Sequence, residues 1–309
     1  MKTVLIDGDQ MVYACGFASE GEPLANTLHL VKRAITQIIE DTGADEYPLY
    51  ISGKGNFRED IALAKGYKAT RSGRKPETYE DIRNYLVEHW GAIKCDGYEA
   101  DDAVSIMLWE DYMASSGDKE LSSVIVSSPD KDLNNTPGWH YNPRTRETKW
   151  ITEEQATRHF YYQLLAGDRV DNITGLPYCP AEIQRVYGLH SASGKGCGEG
   201  SAKKIMATIP KSEHPEKTVW SCYAIWGGVE GMSVEDIYAY FVEQGQLLWM
   251  IREYDDFGGF QMWEPVHTLE ELLNGHDNDS TSPVNSGEHR SNATDTEDDA
   301  VNENSEGSA

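Results

Sequence analysis

The chain has 309 residues, enough for one large domain or two ordinary ones. It carries 52 acidic against 27 basic residues, a formal net charge of −25, which excludes a uniformly basic nucleic-acid coat and leaves only local basic patches for such contacts. Its five cysteines are scattered and odd in number, which argues against a disulfide framework, and no apolar run nears the roughly 20 residues of a membrane span. Lys2 to Ile6 reads as a short buried strand, and MKTVLIDGD has no signal-peptide core, so a cytosolic protein is expected. Apolar residues at helical spacing (Leu28, Val31, Ile35, Ile38, Ile39) predict a helix over 24–41, and Tyr47 to Ser52 predicts a second strand. The stretch 53–75 is the basic part of the chain, with Lys54, Arg58, Lys65, Lys68, Arg71, Arg74 and Lys75 against Glu59 and Asp60. It lacks periodicity and reads as a long loop or arch.

Pro76 suits a first helical turn, and Thr78 to Trp90 is amphipathic. Residues 92–95 predict a strand, 99–114 a helix with Val104, Met107 and Leu108 inward, and 124–127 another buried strand. Trp139 to Tyr141 and Lys149 to Ile151 predict a hairpin. Thr152 and Gln155 form a capping box for a helix to about Ala166. Strands alternating with helices predict a three-layer α/β domain over 1–166 with a mostly parallel sheet, its arch at 53–75. Residues 167–274 read as a helical region, with the glycine turn 196–200 leading into a helix that carries Lys203 and Lys204. The stretch 275–309 is acidic and almost without apolar residues, the composition of a disordered tail.

Four acid clusters stand at or beside the ends of core elements. They are Asp7 and Asp9; Glu99, Asp101 and Asp102; Asp130 and Asp132; and Asp168 and Asp171. Acids gathered at element ends repel one another and lose hydration. Oxygen-only ligands point to Mg²⁺ or Mn²⁺ rather than Zn²⁺. Any one cluster could be a solvated turn or a helix N-terminus favoured by the dipole; Asp9 reads better as a turn residue than as a ligand. Cys179, His190 and Cys197 lie close in sequence but match no zinc spacing.

GYKATR (66–71), GYEADD (97–102), PDKDL (129–133) and GDRVDNITGLP (167–177) stand in the order and approximate spacing of the 5′ nuclease family. That family comprises flap endonucleases, the 5′-3′ exonuclease domain of bacterial DNA polymerase I and free-standing phage exonucleases, and the chain resembles most the phage exonucleases of the T7 type. The resemblance covers residues 1 to about 210. It implies a PIN-like fold and two Mg²⁺ (or Mn²⁺) ions on Asp7, Glu99, Asp101, Asp102, Asp130, Asp132, Asp168 and Asp171. Lys68 and Arg71 would act as catalytic cations of the arch. The basic stretch offers Arg58, Arg74 and Lys75, outside the GYKATR motif, for contacts with duplex DNA bearing 5′ ends or flaps; the resemblance adds Gly196, Gly198, Ser201, Lys203 and Lys204, the glycine turn forming a helix–three-turn–helix element that often takes an alkali cation such as K⁺.

Three departures stand out. Ser52 occupies the place where the family usually has an aspartate, Pro129 replaces a glycine, and an insertion spans 178–195. The resemblance implies 5′-phosphate products, a role in phage DNA replication, recombination or host DNA degradation in the host cytoplasm, and a monomer that meets a replication or single-strand-binding protein. Two other readings are a nuclease-dead protein that binds DNA structures and an RNA-directed PIN-like nuclease.

Overall fold

The computed structural model describes residues 1–71, 73–189 and 197–274. Lys195, Gly196, His190, part of the 178–195 insertion and the acidic tail lie outside the described residues. In chain order the elements are β1 (Thr3–Asp7), α1 (Gly8–Ala18), α2 (Leu24–Thr42), β2 (Leu49–Asn56), α3 (Phe57–Ile61), α4 (Tyr79–Trp90), β3 (Ile93–Gly97), α5 (Ala100–Ala114) and β4 (Val124–Ser127). A 3₁₀ turn (Asp132–Asn135) follows, then β5 (Gly138–Asn142), β6 (Glu147–Ile151), α6 (Glu153–Ala166), α7 (Ala181–Val186), α8 (Gly198–Thr208), α9 (Glu216–Glu230), α10 (Val234–Leu248) and α11 (Leu269–Asn274).

The six strands form one sheet in the order β3-β2-β1-β4-β5-β6, parallel except for the β5–β6 hairpin. The sheet is buried on both faces, as parallel sheets are. Val4, Ile6, Ile51 and Ile125 pack with α1, α2 and α4 on one side; Leu5, Tyr50, Val126 and α5 pack on the other. A separate apolar core joins Phe160 and Leu164 of α6 to Ile205 of α8, Trp220 of α9 and Phe241 of α10. The expected mostly parallel α/β sheet is present.

Strand order reverses direction between β1 and β4, because successive crossovers run first toward β3 and then toward β6. In open α/β sheets, that reversal leaves a crevice at the carboxyl ends of the two central strands. Asp7 closes β1, and Asp130 lies just beyond β4.

Some elements differ from the sequence expectation. Helix α1 went unread because its GDQ start looked like a turn, yet Asp7 caps it by accepting from Asp9 N and Gln10 N. Gly8 must be glycine there, since a Cβ would sit 2.6 Å from Leu49 Cδ2. Strand β2 runs on to Asn56, where Asn56 caps the short helix α3, so the basic stretch begins as ordered structure. Pro76 lies two residues before the N-cap Thr78 rather than in the first turn. Lys203 and Lys204 stand in the middle of α8, not at its start.

Candidate active site

The crevice is built from short, locally determined turns. Asp7 is 3% exposed; its Oδ2 accepts from Ser128 Oγ at 2.9 Å. Ser128 Oγ in turn accepts from Asp130 N, and Asp130 Oδ1 accepts from Asp132 N. Such side-chain-to-backbone bonds fix the SPDKD turn without help from the sheet. On the other flank, Ser52 Oγ accepts from Ala100 N at 3.0 Å and holds the start of α5, so Asp101 enters the crevice from the first helical turn. Asp168 Oδ1 accepts from Val170 N and Asp171 N, which curls the turn after α6, with Asn172 at φ +62°. Gln163 Nε2 donates to Asp132 Oδ1 at 2.7 Å.

Two overlapping sets of acids result. Asp101 feels Asp7, Asp130 and Glu99, while Asp132 feels Asp130, Asp168 and Asp171. Burial, then Asp9, raises Asp7 to about 7. Burial, then Asp130 and Asp168, raises Asp132 to about 7. Burial and its three acidic neighbours push Asp101 well above the carboxylate range. Moreover, Asp101 Oδ1 is buried and has no hydrogen-bond partner, a costly state for a carboxylate oxygen.

An all-oxygen set with an orphaned, repelled carboxylate fits a hard divalent cation such as Mg²⁺. Among the described residues, no three His, Cys, Asp or Glu side chains stand close enough together to hold a metal ion as they are placed.

A cationic arm lies against these acids. Lys68 Nζ contacts Glu99 Oε1 and stands 3.7 Å from Asp171 Oδ2; Arg71 donates to Asp171 Oδ1. Burial opposes ionisation of Glu99, but Lys68 and Arg58 overcome it and hold the carboxyl at about 2. Lys68 has φ +53°, and its N–H donates to Asp171 O. The residue that sequence reading missed is Tyr67. It is 8% exposed, and its hydroxyl lies 2.7 Å from Glu99 Oε2 and 2.9 Å from Asp171 Oδ2, joining one acid of each set. Its place between Gly66 and Lys68 in the GYKATR motif was the available signal.

Two assignments need correction. Arg58 does not face DNA: it is 1% exposed, forks onto Asp102 at 2.7 and 2.8 Å, and donates to Leu247 O and Trp249 O. Asp102 is not a metal ligand: it is fully buried, and beyond Arg58 it accepts from Ile251 N and Glu99 N. The two guanidinium N–H groups and these two backbone N–H groups together occupy both carboxylate oxygens, leaving no lone pair for a cation. The Ser52 hydroxyl is engaged at the α5 N-terminus, where it accepts from Ala100 N. Asp9 lies in the first turn of α1 rather than in a loop; it pairs with Arg83 at 3.0 Å and accepts from Ser52 N, and after burial it is the largest influence raising Asp7.

The remaining cations lie outside the crevice. Arg74 pairs with Glu20 and Lys75 covers the Tyr79 ring at 4.1 Å. Gly198 shares a groove of about 550 Å³ with Lys65, Asp168 and Arg169. Lys203, which pairs with Glu199, shares another of about 490 Å³ with Lys131, Arg158 and Tyr162. Ser201 is half-buried and Lys204 exposed on α8. Cys179 and Cys197 approach to 3.3 Å, and His190 lies outside the described residues.

No family model and no curated protein matches the chain. Among solved structures it is similar to the bacteriophage T5 flap endonuclease in a pseudo-enzyme–product complex with DNA and metal ions, at 14% identity and a TM-score of 0.45, over 80% of this chain and 99% of that one. It is also similar to the T5 5′-exonuclease with bound zinc ions, at 15% identity and a TM-score of 0.45, over 80% and 98% of the two chains.

Proposed function

We propose that this chain is a divalent-cation-dependent nuclease that hydrolyses phosphodiesters near the 5′ ends of DNA. The observation that carries the reading is the acid crevice at the β1/β4 reversal, where Asp101 Oδ1 lies buried without a partner among Asp7, Asp130 and Glu99. Acids so placed are costly for a protein that only holds DNA, because they repel each other and the phosphate.

Asp7, Glu99, Asp101 and Asp130 would hold one cation, and Asp132, Asp168 and Asp171 a second. Bound there, such ions generate a nucleophile from water and offset charge on the leaving oxygen. The chain's own residues orient and neutralise. Lys68 and Arg71 now rest on Glu99 and Asp171. Were those acids to hold cations, Lys68 and Arg71 would be free to face the scissile phosphate and offset the charge that develops there. Tyr67 keeps the arm registered on Glu99 and Asp171 through its hydroxyl. Gly198, Ser201, Lys203 and Lys204 of α8, with Lys131, would hold duplex phosphates without reading sequence.

The test is product analysis with 5′-labelled duplex, 5′-armed duplex and RNA–DNA hybrid in Mg²⁺ and in Mn²⁺. Release of short 5′-labelled DNA fragments in either ion is expected. Intact DNA in both ions, with binding retained, would favour the nuclease-dead reading. Cleavage confined to the RNA strand would favour the RNA-directed one.

A further inference from the structure

Two thiols that no step of the proposed cleavage uses stand at the ends of the 178–195 insertion. Cys179 lies in the segment after the Asp168–Asp171 turn, and Cys197 is the N-cap of α8. They are eighteen positions apart, yet their Sγ atoms approach to 3.3 Å and share a hydrogen bond. Both are 2% exposed. The backbone holds each in place: Cys197 N donates to Leu176 O at 3.0 Å, and Gln184 Nε2 of α7 donates to Cys179 O at 2.8 Å. Their cover is shallow, since the flanking Tyr178 and Gly198 are both part-exposed.

The other three cysteines differ. Cys15 and Cys95 lie in the two cores that flank the sheet, and burial pushes both thiols up to about 11. Cys222 of α9 is fully buried, and burial, then Cys179, pushes it up to about 12. Of the five, Cys179 alone is lowered from the ordinary 9.0, because its hydrogen bond with Cys197 outweighs burial. The thiolate is the reactive form of cysteine. Cys179 therefore combines the most accessible thiolate with a second sulfur already in contact.

We propose that Cys179 and Cys197 are a reversible redox pair, which hydrogen peroxide closes to a disulfide that fixes the start of α8 against the segment following the acid turn. A single such pair is not a disulfide framework; in reducing compartments it is the transient, sensing kind. The Cys179 thiolate attacks the peroxide O–O bond, becomes a sulfenic acid and expels hydroxide, which takes a proton to leave as water. Cys197 Sγ then attacks the sulfenic sulfur, gives up its proton and expels the remaining oxygen as a second water. Two thiols are oxidised, one peroxide is reduced, and a dithiol reverses the step by exchange. The consequence depends on α8, whose first turn holds duplex phosphates in the nuclease reading on which this part rests. Gly198 there takes φ +69°, and no side chain caps the helix. A bond at Cys197 holds that turn in one conformation before DNA arrives, so less ordering remains to be done on binding.

The experiment treats the full chain with hydrogen peroxide, then alkylates its remaining thiols in denaturant. Two of the five thiols are expected to escape alkylation, and a peptide map should join Cys179 to Cys197. The mass before alkylation should fall by about 2 Da. The melting temperature should rise by about 5–10 °C, as closure of a loop of this length implies, and return on adding dithiothreitol. Fluorescence anisotropy with a blunt duplex in excess chelator should show binding about threefold or more tighter after oxidation. Cys197→Ser is expected to abolish both changes, and Cys222→Ala to keep both.

Five alkylated thiols after peroxide, a link between Cys179 and Cys222, or a Cys179 sulfinic acid in place of the disulfide would overturn the pair. A Cys179–Cys197 disulfide that leaves duplex affinity unchanged or weakens it would overturn the part given to α8. Mg²⁺-dependent cleavage by the reduced chain tests the nuclease reading separately. Its absence would remove that reading, while the mass, the peptide map and the melting temperature still decide the pair.

Discussion

Arg58→Met is expected to unfold the protein more easily rather than to weaken DNA binding. Methionine keeps the volume of the side chain and removes its charge. Asp102 would then stand fully buried without its guanidinium, and Leu247 O and Trp249 O would lose their donors. Breaking one side of a buried pair costs roughly 3–5 kcal/mol, and each orphaned carbonyl about 1 kcal/mol more. At the low end of these ranges the total is about 5 kcal/mol, a large part of a normal folding free energy. At roughly 2–4 °C per kcal/mol for a chain of this order, Tm should fall by about 10–20 °C. Arg58→Met/Asp102→Leu, which removes both charges, should recover most of the loss. Thermal and urea unfolding of the two variants provide the readout. A Tm within a degree or two for Arg58→Met, with DNA affinity and its salt slope reduced, would refute the buried-pair account and return Arg58 to the DNA surface.

Metal and pH should be linked. Asp7 and Asp132, raised to about 7, and Asp101, raised well above its ordinary 3.8, bind more protons folded than unfolded. Their contribution to metal-free stability is therefore fully present below about 4 and lost as pH rises through about 7. His140 and His159, held near 4 by burial, act in the opposite sense but equally with and without metal. The Tm gain from saturating Mg²⁺ should accordingly widen from pH 5 to pH 8; a gain independent of pH would contradict the linkage. Lys68→Ala should lower kcat and kcat/KM together by about 10²-fold, with duplex affinity little changed; weaker binding with unchanged single-turnover cleavage would make the arm only an electrostatic guide. Tyr67→Phe should reduce cleavage less than Lys68→Ala while leaving Tm within a few degrees, since it removes one hydroxyl from two acids; cleavage as low as in Lys68→Ala would give Tyr67 a larger part than registration.

Sequence carried the sheet and the acids well because both are local signals. β-Branched runs mark β1 and β4, and the Thr152–Gln155 box that starts α6 is present with both of its hydrogen bonds. Asp7, Asp101 and Asp130 meet because a parallel sheet gathers the ends of β1, β3 and β4 at one crevice, while Asp168 and Asp171 arrive on the turn after α6. What stayed hidden depends on contacts distant in sequence. Nothing local separates Arg58 from Lys65 or Arg74 in a basic run; its burial comes from carbonyls at 247 and 249. Asp102 and Asp101 are neighbours in one motif, yet the helix turns one toward Arg58 and the other toward Asp7 and Asp130. The 3.6-residue period predicts that adjacent residues diverge, but not which one meets a guanidinium.

Asp101→Asn tests the central claim most directly, because it keeps the volume and removes the charge at the orphaned oxygen. Cleavage of 5′-labelled DNA should be measured beside anisotropy binding at the same Mg²⁺ concentration. Turnover is expected to fall by orders of magnitude while DNA affinity holds or rises, since one charge facing phosphate has gone. Cleavage at the unmodified rate would mean that the acid crevice is not where phosphodiesters are cut.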